Sequence, residues 1–219
     1  MNWRAISLVL GLCCTWVAVG SPVASLDSHM LTAHMVQHLL LMTFAPPLIW
    51  LGAPVTSLLR LGQWRPMRRI GRVLGDPVFC WLAAAATLVA WHVPVLFRLG
   101  MESRGWRLVE HASFFASGLL FWWPVIQPRP SVARWPRWTM LLYLFLATLP
   151  CDVLSALLVF SDRIAYPVYL CIPHRAGLSV LEDQQCAGAL MWTCVTIVFL
   201  VAGTILSMRL LSPRTGVEV

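Results

Sequence analysis

The stretch of sequence that decides the fold is residues 31–54, LTAHMVQHLLLMTFAPPLIWLGAP. It is long and apolar enough to cross a bilayer, whose hydrocarbon core of about 30 Å requires roughly 20 apolar residues in a helix. It nevertheless carries two histidines one helical turn apart, His34 and His38, and a proline pair, Pro46 and Pro47, near its middle. Polar side chains inside a membrane are kept where they face a partner or a cavity, so this helix predicts a polar interior site.

The composition of the whole chain is that of a polytopic membrane protein. Of its 219 residues, 59% are hydrophobic and only 11% are charged, and the mean hydropathy is +0.75. A water-exposed surface could not be built from this composition. All 16 basic residues are arginines, and they occur in short clusters between apolar runs. Such clusters are typical of topology signals and argue against nucleic acid as a partner.

Six apolar runs are long enough to span the bilayer. We therefore predict an all-α, polytopic membrane helix bundle with six transmembrane helices, forming a single domain over residues 1–219. The first run also has features of a signal peptide, with Arg4 before it and VGSPVAS after it, but we interpret it as a helix. The predicted helices cover about residues 5–21, 31–51, 78–97, 108–126, 138–160 and 187–209.

The arginines predict the orientation of the bundle. Counted in the connections between the predicted helices, eleven arginines fall on one side of the membrane and five on the other. The side that is richer in arginine is normally the cytoplasmic side. We therefore expect both termini to be cytoplasmic.

All six histidines fall on the opposite, outer side in this arrangement. His34, His38, His92 and His111 lie within roughly 5 to 12 Å of the outer boundary, at a rise of about 1.5 Å per residue. His29 and His174 fall in the outer connections. The common depth predicts one shared site built from several helices.

The spacing of His34 and His38 places both imidazoles on one face of a helix, from which two nitrogens can bind one metal ion. His92 and His111 lie at matching depth, so we predict His34, His38, His92 and His111 as metal ligands. Met35 lies between the first pair, and thioether beside imidazole favours copper, particularly Cu(I). For any single methionine, simple filling of the core is the better explanation.

Proline is expected to bend two of these helices near the site. AWHVP at residues 90–94 places Pro94 two residues after His92, and APP at residues 45–47 follows the His34–His38 pair. Proline frees a backbone carbonyl one turn earlier and bends a membrane helix, commonly where the helix lines a site. The alternative is that these prolines only shape the packing of the helices.

Several acidic and amide residues are candidates to support the site. Glu110 points about 100° away from His111, which favours an interfacial position, although its carboxylate could orient an imidazole of another helix. Asp152, in an apolar helix, should be protonated, bonded to a histidine or near a cation, and we favour the last two. Asp183 and Gln184 open the last helix, where capping explains most of the pattern, but both could also reach the histidines.

The seven cysteines contain no C-x-x-C motif and no zinc-binding spacing. Cys171 and Cys186 both fall on the predicted outer side, where oxidising conditions permit a disulfide between them. The other five lie within predicted helices, where filling of the apolar core is the default interpretation.

Four segments together resemble one known family. HMVQHLLLMTFAPPLIWLGAP, WHVP, EHASFFASGLLFWWPVI and DQQCAGALMW, spread over about residues 30–195, are similar to signatures of CtaG, the multi-helix membrane assembly factors of caa-type cytochrome c oxidases. The resemblance implies a multi-pass protein of the bacterial plasma (inner) membrane that helps to build the metal centres of an oxidase subunit by handling copper. Carried onto this chain, the family pattern marks His34, Met35, Gln37, His38, His92, His111, Asp183 and Gln184.

Two further functions remain as alternatives at this point. A haem-binding electron carrier would need opposed imidazoles, which His34 with His92 or His38 with His111 could supply. A membrane enzyme is disfavoured because the chain has one His-x-x-x-His and neither Gly-x-Ser-x-Gly nor His-Glu-x-x-His. We therefore expect a copper-binding assembly factor rather than an enzyme, in contact with membrane lipid. The sequence leaves homodimerisation open.

Overall fold

The computed structural model describes residues 2–53, 75–126, 135–136, 138–171 and 177–212, and all regular structure in these ranges is helical. The predicted all-α fold class is therefore confirmed. A π-helical segment, Leu39–Phe44, joins α2 to α3, and two 3-10 turns cover Pro22–Leu26 and Pro167–Cys171. The helices are α1 Trp3–Gly20, α2 Leu31–His38, α3 Ala45–Gly52, α4 Pro77–His92, α5 Pro94–Glu102, α6 Arg104–Ile126, α7 Thr139–Phe160 and α8 Val180–Leu211.

Within the described residues, the structure supports four or five membrane spans rather than the predicted six. Four helices are long and apolar enough to cross a membrane, and α4 with α5 adds a fifth if this bent pair counts as one span. Helix α6 has 23 residues but is not among them, because Arg104, Arg107 and Glu110 lower the hydropathy of its first turns. The four spans are Trp3–Leu26, Leu31–Gly52, Thr139–Phe160 and Val180–Leu211.

The orientation of these spans stays a prediction. Most arginines that carry it lie in residues 54–74 and 127–137, which are largely outside the described residues. The predicted cytoplasmic position of both termini is therefore neither supported nor contradicted by the helix arrangement.

The double proline changes the hydrogen bonding of the second span without ending the helix. Pro46 has no N–H, so it cannot bond to the carbonyl of Met42 one turn earlier. The Met42 carbonyl instead accepts a hydrogen bond from Trp122 Nε1 of α6 at 3.2 Å, and the Ala45 N–H bonds to the Leu40 carbonyl in the π pattern. The freed carbonyl thus becomes a contact between α6 and the middle of the span, as expected for proline in membrane helices.

Helix α6 approaches this π-helical segment closely at a glycine. A Cβ atom built on Gly118 would lie 2.8 Å from Met42 Cα and from Pro46 Cγ. Only glycine permits that approach. The close packing draws the buried face of α6, which includes Glu110 and Phe114, against the second span.

The predicted third helix is broken at Val93. Val93 has an extended backbone (φ −67°, ψ 126°), as expected for a residue before proline, and α5 leaves α4 at an angle of 75°. The predicted bend at Pro94 is therefore confirmed, and it is large. It makes His92 the last residue of α4 and turns α5 back towards α6, against which it packs.

The longest helix, α8, packs along α7 and also against α2. Large apolar side chains cover the outside of the bundle, and Phe145, Phe160 and Leu200 are each more than 60% exposed. Several polar and charged side chains are buried instead, among them His34, Glu110 and Asp183. This distribution suits lipid surroundings and a polar interior.

Candidate metal centre

Helices α2 and α6 bring three metal-binding side chains together inside the bundle. His34 and His38 point from one face of α2, and Glu110 points from the first turns of α6. The buried residues Glu110, Phe114 and Gly118 follow one another at four-residue steps, so they form the stripe of α6 that faces α2 and the π-helical segment. We call this group the His34–His38–Glu110 cluster.

The donor atoms of the cluster converge on one point. Glu110 Oε1 lies 3.3 Å from His34 Nε2 and 3.2 Å from His38 Nε2. One donor atom from each of the three residues lies within 4.8 Å of the other two. The two imidazole rings meet edge to face with centroids 4.3 Å apart. Two nitrogens and one carboxylate oxygen at this spacing form a set that one transition-metal ion can bind.

These donor atoms lack well-directed hydrogen bonds although they are fully buried. His34 and Glu110 are 1% and 0% exposed, and His38 is 5% exposed. Both ring nitrogens of each histidine and both carboxylate oxygens have no hydrogen-bond partner among the described residues. The short nitrogen–oxygen distances therefore do not come with the directions of good hydrogen bonds. Buried polar groups are normally satisfied, so the cluster fits a bound metal ion better than it fits a structural role.

His92 approaches the cluster from the end of α4. Its ring centroid lies 6.3 Å from that of His38. Its Nδ1 is 2.7 Å from the Leu88 carbonyl, so Nδ1 carries the proton and donates it, which leaves the lone pair on Nε2. Nε2 is buried without a hydrogen-bond partner among the described residues. His92 therefore offers a fourth nitrogen donor at the edge of the cluster.

Aromatic side chains and a glycine close the site. Phe97 of α5 meets the His34 ring with centroids 4.8 Å apart, and Phe114 stacks on His38 at 3.9 Å. A Cβ atom on Gly100 would lie 2.6 Å from Glu110 Oε2, so α5 passes directly over the carboxylate. The break before Pro94 thus places α5 as a cover on the cluster.

A second buried ion pair fastens this cover. Arg107 lies 3.3 Å from Asp27 Oδ2, and Asp27 is 1% exposed. The same guanidinium donates to the carbonyls of Gly100 and Met101 at the end of α5. Arg107 therefore holds α5 against α6 and against the turn that precedes α2.

Asp183 of α8 belongs to the structure that supports the cluster rather than to the cluster itself. It is 1% exposed and accepts hydrogen bonds from the Leu31 N–H at 2.6 Å, the Thr32 N–H at 3.2 Å and the Thr32 hydroxyl at 2.6 Å. Leu31 and Thr32 are the first residues of α2, so the carboxylate caps this helix from a neighbouring one. It fixes the start of α2 one turn before His34.

The two glutamines also act as links between elements. Gln37 donates to the carbonyls of Ala18 and Ala24, which ties α2 to the end of α1. Gln184 accepts from the Ala165 N–H at 2.7 Å and donates to the Arg163 carbonyl at 3.1 Å. Met35 is 1% exposed and packs in the core formed by α2, α7 and α8.

Two residues predicted at the site are not among its three converging donors. His111 is half-buried and outside that group, although its Nε2 is buried without a hydrogen-bond partner among the described residues, so its role as a ligand stays a prediction. Asp152 is half-buried and has no hydrogen bond or ion pair to a described histidine. Glu110 is 0% exposed, which does not test its predicted position at the membrane interface. The alternative, that its carboxylate contacts an imidazole of another helix, agrees with the structure.

The cysteines add no ligand to the cluster among the described residues. Cys171 and Cys186 are both exposed free thiols, so no disulfide joins them in this structure and their pairing stays a prediction. His174 lies outside the described residues.

The residue that sequence reasoning underrated is Glu110. The sequence did indicate its position around the helix. Glu110 lies eight residues before Gly118, on the face of α6 where small and aromatic residues indicate packing against another helix. The role of the segment after Pro94 was also missed, because no spacing in the sequence indicates where a helix points after a break.

An apolar exterior around a buried histidine and carboxylate cluster defines a polytopic membrane helix bundle with a candidate metal centre. The model of one family, described as cytochrome c oxidase caa3 assembly factor (Caa3_CtaG), matches residues 1–212. The chain belongs to this family, which confirms the resemblance seen in its motifs.

The similar curated proteins come from mycobacteria. The chain is 26% identical over 207 residues to uncharacterised proteins of Mycobacterium bovis and Mycobacterium tuberculosis, and 25% identical over 208 residues to one of Mycobacterium leprae. Each match covers 87% of this chain but 31% of the relative, so the chain spans about a third of the length of these proteins. No solved structure matches the chain.

Proposed function

We propose that this protein is a membrane assembly factor of cytochrome c oxidase that binds copper at the His34–His38–Glu110 cluster and delivers it to an oxidase subunit. Family membership supports the assembly role. The observation that carries the copper-binding role is the convergence of three buried donor atoms that lack hydrogen bonds. Copper is the cargo in this proposal, and the protein is a carrier rather than an enzyme.

The ligand set suits a metal that must be released again. His34, His38 and Glu110 supply three donors, and His92 supplies a fourth from a greater distance. A three-donor site leaves coordination positions open to an incoming ligand of the recipient protein. Exchange of ligands can then proceed without first emptying the site.

The cover over the cluster keeps the ion from water until a partner binds. Phe97 and Gly100 of α5 lie against His34 and Glu110, and Arg107 fastens the end of α5. Loading and delivery would require α5 to move, since His34 and Glu110 are inaccessible in the closed arrangement.

The geometry favours copper over the alternative of haem. Axial ligation of haem requires two imidazoles on opposite faces of a macrocycle. The cavity beside His38 and His92 measures about 60 Å³, which is room for an ion and a few waters rather than for a porphyrin.

The experiment that tests the proposal measures copper bound to the purified protein and to three single variants. We expect one copper ion per chain at the cluster in the wild type. Glu110→Gln and His38→Ala should each lower the affinity for copper at least about 100-fold, because loss of even an indirect supporting group costs about 10–100-fold. His111→Ala is the matched control, since it removes a histidine one residue from Glu110 that lies outside the cluster.

Delivery is tested in cells that make the same variants. If the proposal is right, Glu110→Gln lowers the copper content of the oxidase while the amounts of oxidase polypeptide and of this protein stay normal. Equal copper binding by Glu110→Gln and the wild type would overturn the proposal. A strong Soret band in the purified wild type would favour the haem-binding alternative.

A further inference from the structure

A cavity rich in sulfur lies on the other side of His38 from Glu110. It has a volume of about 60 Å³, is partly open, and is lined by residues of α2, the π-helical segment, α4, α6, α7 and α8. Four of its nineteen lining residues carry sulfur, whereas the whole chain has nine methionines and seven cysteines in 219 residues. The potential ligands in its wall are Met35, His38, Met42, His92, Cys151 and Met191.

Two imidazoles in this wall each have a ring nitrogen without a hydrogen-bond partner among the described residues. His92 Nε2 bears a lone pair and is buried without a hydrogen-bond partner among the described residues. His38 Nδ1 likewise has none, while its Nε2 faces Glu110. The two rings are 6.3 Å apart between centroids. With metal–nitrogen bonds of about 2 Å and about 1 Å from nitrogen to ring centre, one ion between two imidazoles separates their centroids by about 6 Å.

Thioether, thiol and neutral imidazole are the ligands that Cu(I) prefers, and they offer little to hard divalent ions. The cavity contains no carboxylate in its wall, unlike the neighbouring cluster with Glu110. The two sites therefore differ in chemistry but share His38, which presents one nitrogen to each.

We propose that the sulfur-lined cavity is a second copper site, selective for Cu(I), which receives the ion from the His34–His38–Glu110 cluster through His38. This inference rests on the proposed copper-binding function and extends it. The transfer is an exchange of ligands without a change of oxidation state. The bonds from Cu(I) to the Glu110 oxygen, the His34 nitrogen and His38 Nε2 break. Bonds to His38 Nδ1, His92 Nε2 and thioether sulfur form, while the His38 proton moves from Nδ1 to Nε2. When both sites are filled, His38 bridges the two ions as an imidazolate and its proton is released to solvent.

The test is an anaerobic titration of the purified full chain with Cu(I) against a coloured Cu(I) chelator, followed by X-ray absorption at the copper edge. Cys13, Cys171 and Cys186 are exposed, so all samples carry serine at these three positions to remove adventitious thiol binding. We expect two copper ions per chain and a copper–sulfur distance of about 2.3 Å, similar to metal–sulfur distances in other protein sites.

The decisive variant is Met42→Leu with Met191→Leu, which removes two thioethers at nearly constant volume. It should bind one copper ion, with only nitrogen and oxygen neighbours. Met140→Leu is the matched control, because Met140 is 2% exposed but does not line the cavity, and it should retain two ions and the sulfur signal.

The outcomes separate the two proposals. Glu110→Gln should lose the nitrogen–oxygen site and keep the ion with sulfur neighbours. A wild type that binds one ion without sulfur neighbours, and loses it in Glu110→Gln, would overturn the second site and leave the proposed function intact. A double methionine variant that binds the second ion with unchanged affinity and an unchanged copper–sulfur signal would also overturn the second site. A wild type that binds no copper would overturn both.

Discussion

Two buried carboxylates flank α2, and they differ in how they are satisfied. Asp183 and Glu110 are 1% and 0% exposed. Asp183 accepts three hydrogen bonds from Leu31 and Thr32 at the start of the helix. Glu110 faces His34 and His38 at 3.3 and 3.2 Å but has no well-directed hydrogen bond among the described residues.

The difference separates a structural carboxylate from one that is available to a ligand. A buried charge that is fully hydrogen-bonded holds the structure together, and its removal leaves several donors unsatisfied. A buried charge whose surroundings do not satisfy it is costly to the folded protein unless something else binds there. Asp183 therefore fixes the start of α2. This places His34 and His38 of α2 next to the Glu110 carboxylate.

Removal of the Asp183 carboxylate should have the largest effect on stability. Asp183→Ala leaves the Leu31 and Thr32 donors without their acceptor and should lower the free energy of unfolding by about 3–5 kcal/mol. Chemical unfolding in detergent micelles measures this change. The exposed Asp162→Ala is the control and should change stability by less than about 0.5 kcal/mol. Equal stability of the two variants would remove the distinction between the carboxylates.

The effect of copper on stability provides a second test of the difference between Glu110 and Asp183. At a free copper concentration of 100 times the dissociation constant, the wild type should gain about 2.7 kcal/mol in free energy of unfolding. Glu110→Gln keeps the size of the side chain, so without copper it should be about as stable as the wild type. It should lose the part of this gain that comes from the His34–His38–Glu110 cluster, while an ion in the sulfur-lined cavity can still contribute; thermal unfolding with and without copper will measure the difference. A full gain in this variant would place the ion elsewhere.

The cover over the cluster provides a third and smaller test. Gly100→Ala places a methyl group 2.6 Å from the present position of Glu110 Oε2, so the carboxylate must move. We expect copper affinity to fall about 10-fold, equivalent to about 1.4 kcal/mol, in the same copper titration. In Gly105→Ala the nearest atom is Ser103 Oγ at 3.7 Å, and this control should bind copper like the wild type.

The buried Met42 carbonyl is an acceptor that is already satisfied, because Trp122 donates a hydrogen bond to it. It is not one of the donor atoms of the cluster. Trp122→Phe removes the hydrogen bond to the Met42 carbonyl and should lower the free energy of unfolding by about 1–2 kcal/mol with the copper affinity of the His34–His38–Glu110 cluster unchanged. Trp106→Phe, at a site that is 45% exposed, is the control in the same unfolding experiment. A loss of copper in Trp122→Phe would show that the two regions are not independent.

His111 should give the smallest effect. Its depth in the membrane predicts a ligand, but the converging donors do not include it. His111→Ala should change copper affinity by less than about 3-fold, or about 0.7 kcal/mol. A loss comparable to that in His38→Ala would return His111 to the site and would require α6 to rotate.

The helical spacing of His34 and His38 and the common depth of His92 were sufficient to predict that these three would meet. Depth depends only on the rise along a helix, which the sequence supplies. Depth does not specify the direction in which a residue faces around its helix. That is why depth alone favoured His111, whereas the converging group in the structure contains its neighbour Glu110.

The sequence by itself determined a helical fold with an apolar exterior, the bend at Pro94 and membership in one assembly-factor family, because these follow from local composition and motif. Only the tertiary structure decided which polar residues are satisfied and which remain available. That outcome depends on the rotation of each helix, on the 75° turn after His92 and on the close approach of α6 at Gly118. These features arise from packing between segments distant in the chain, and local spacing does not contain them.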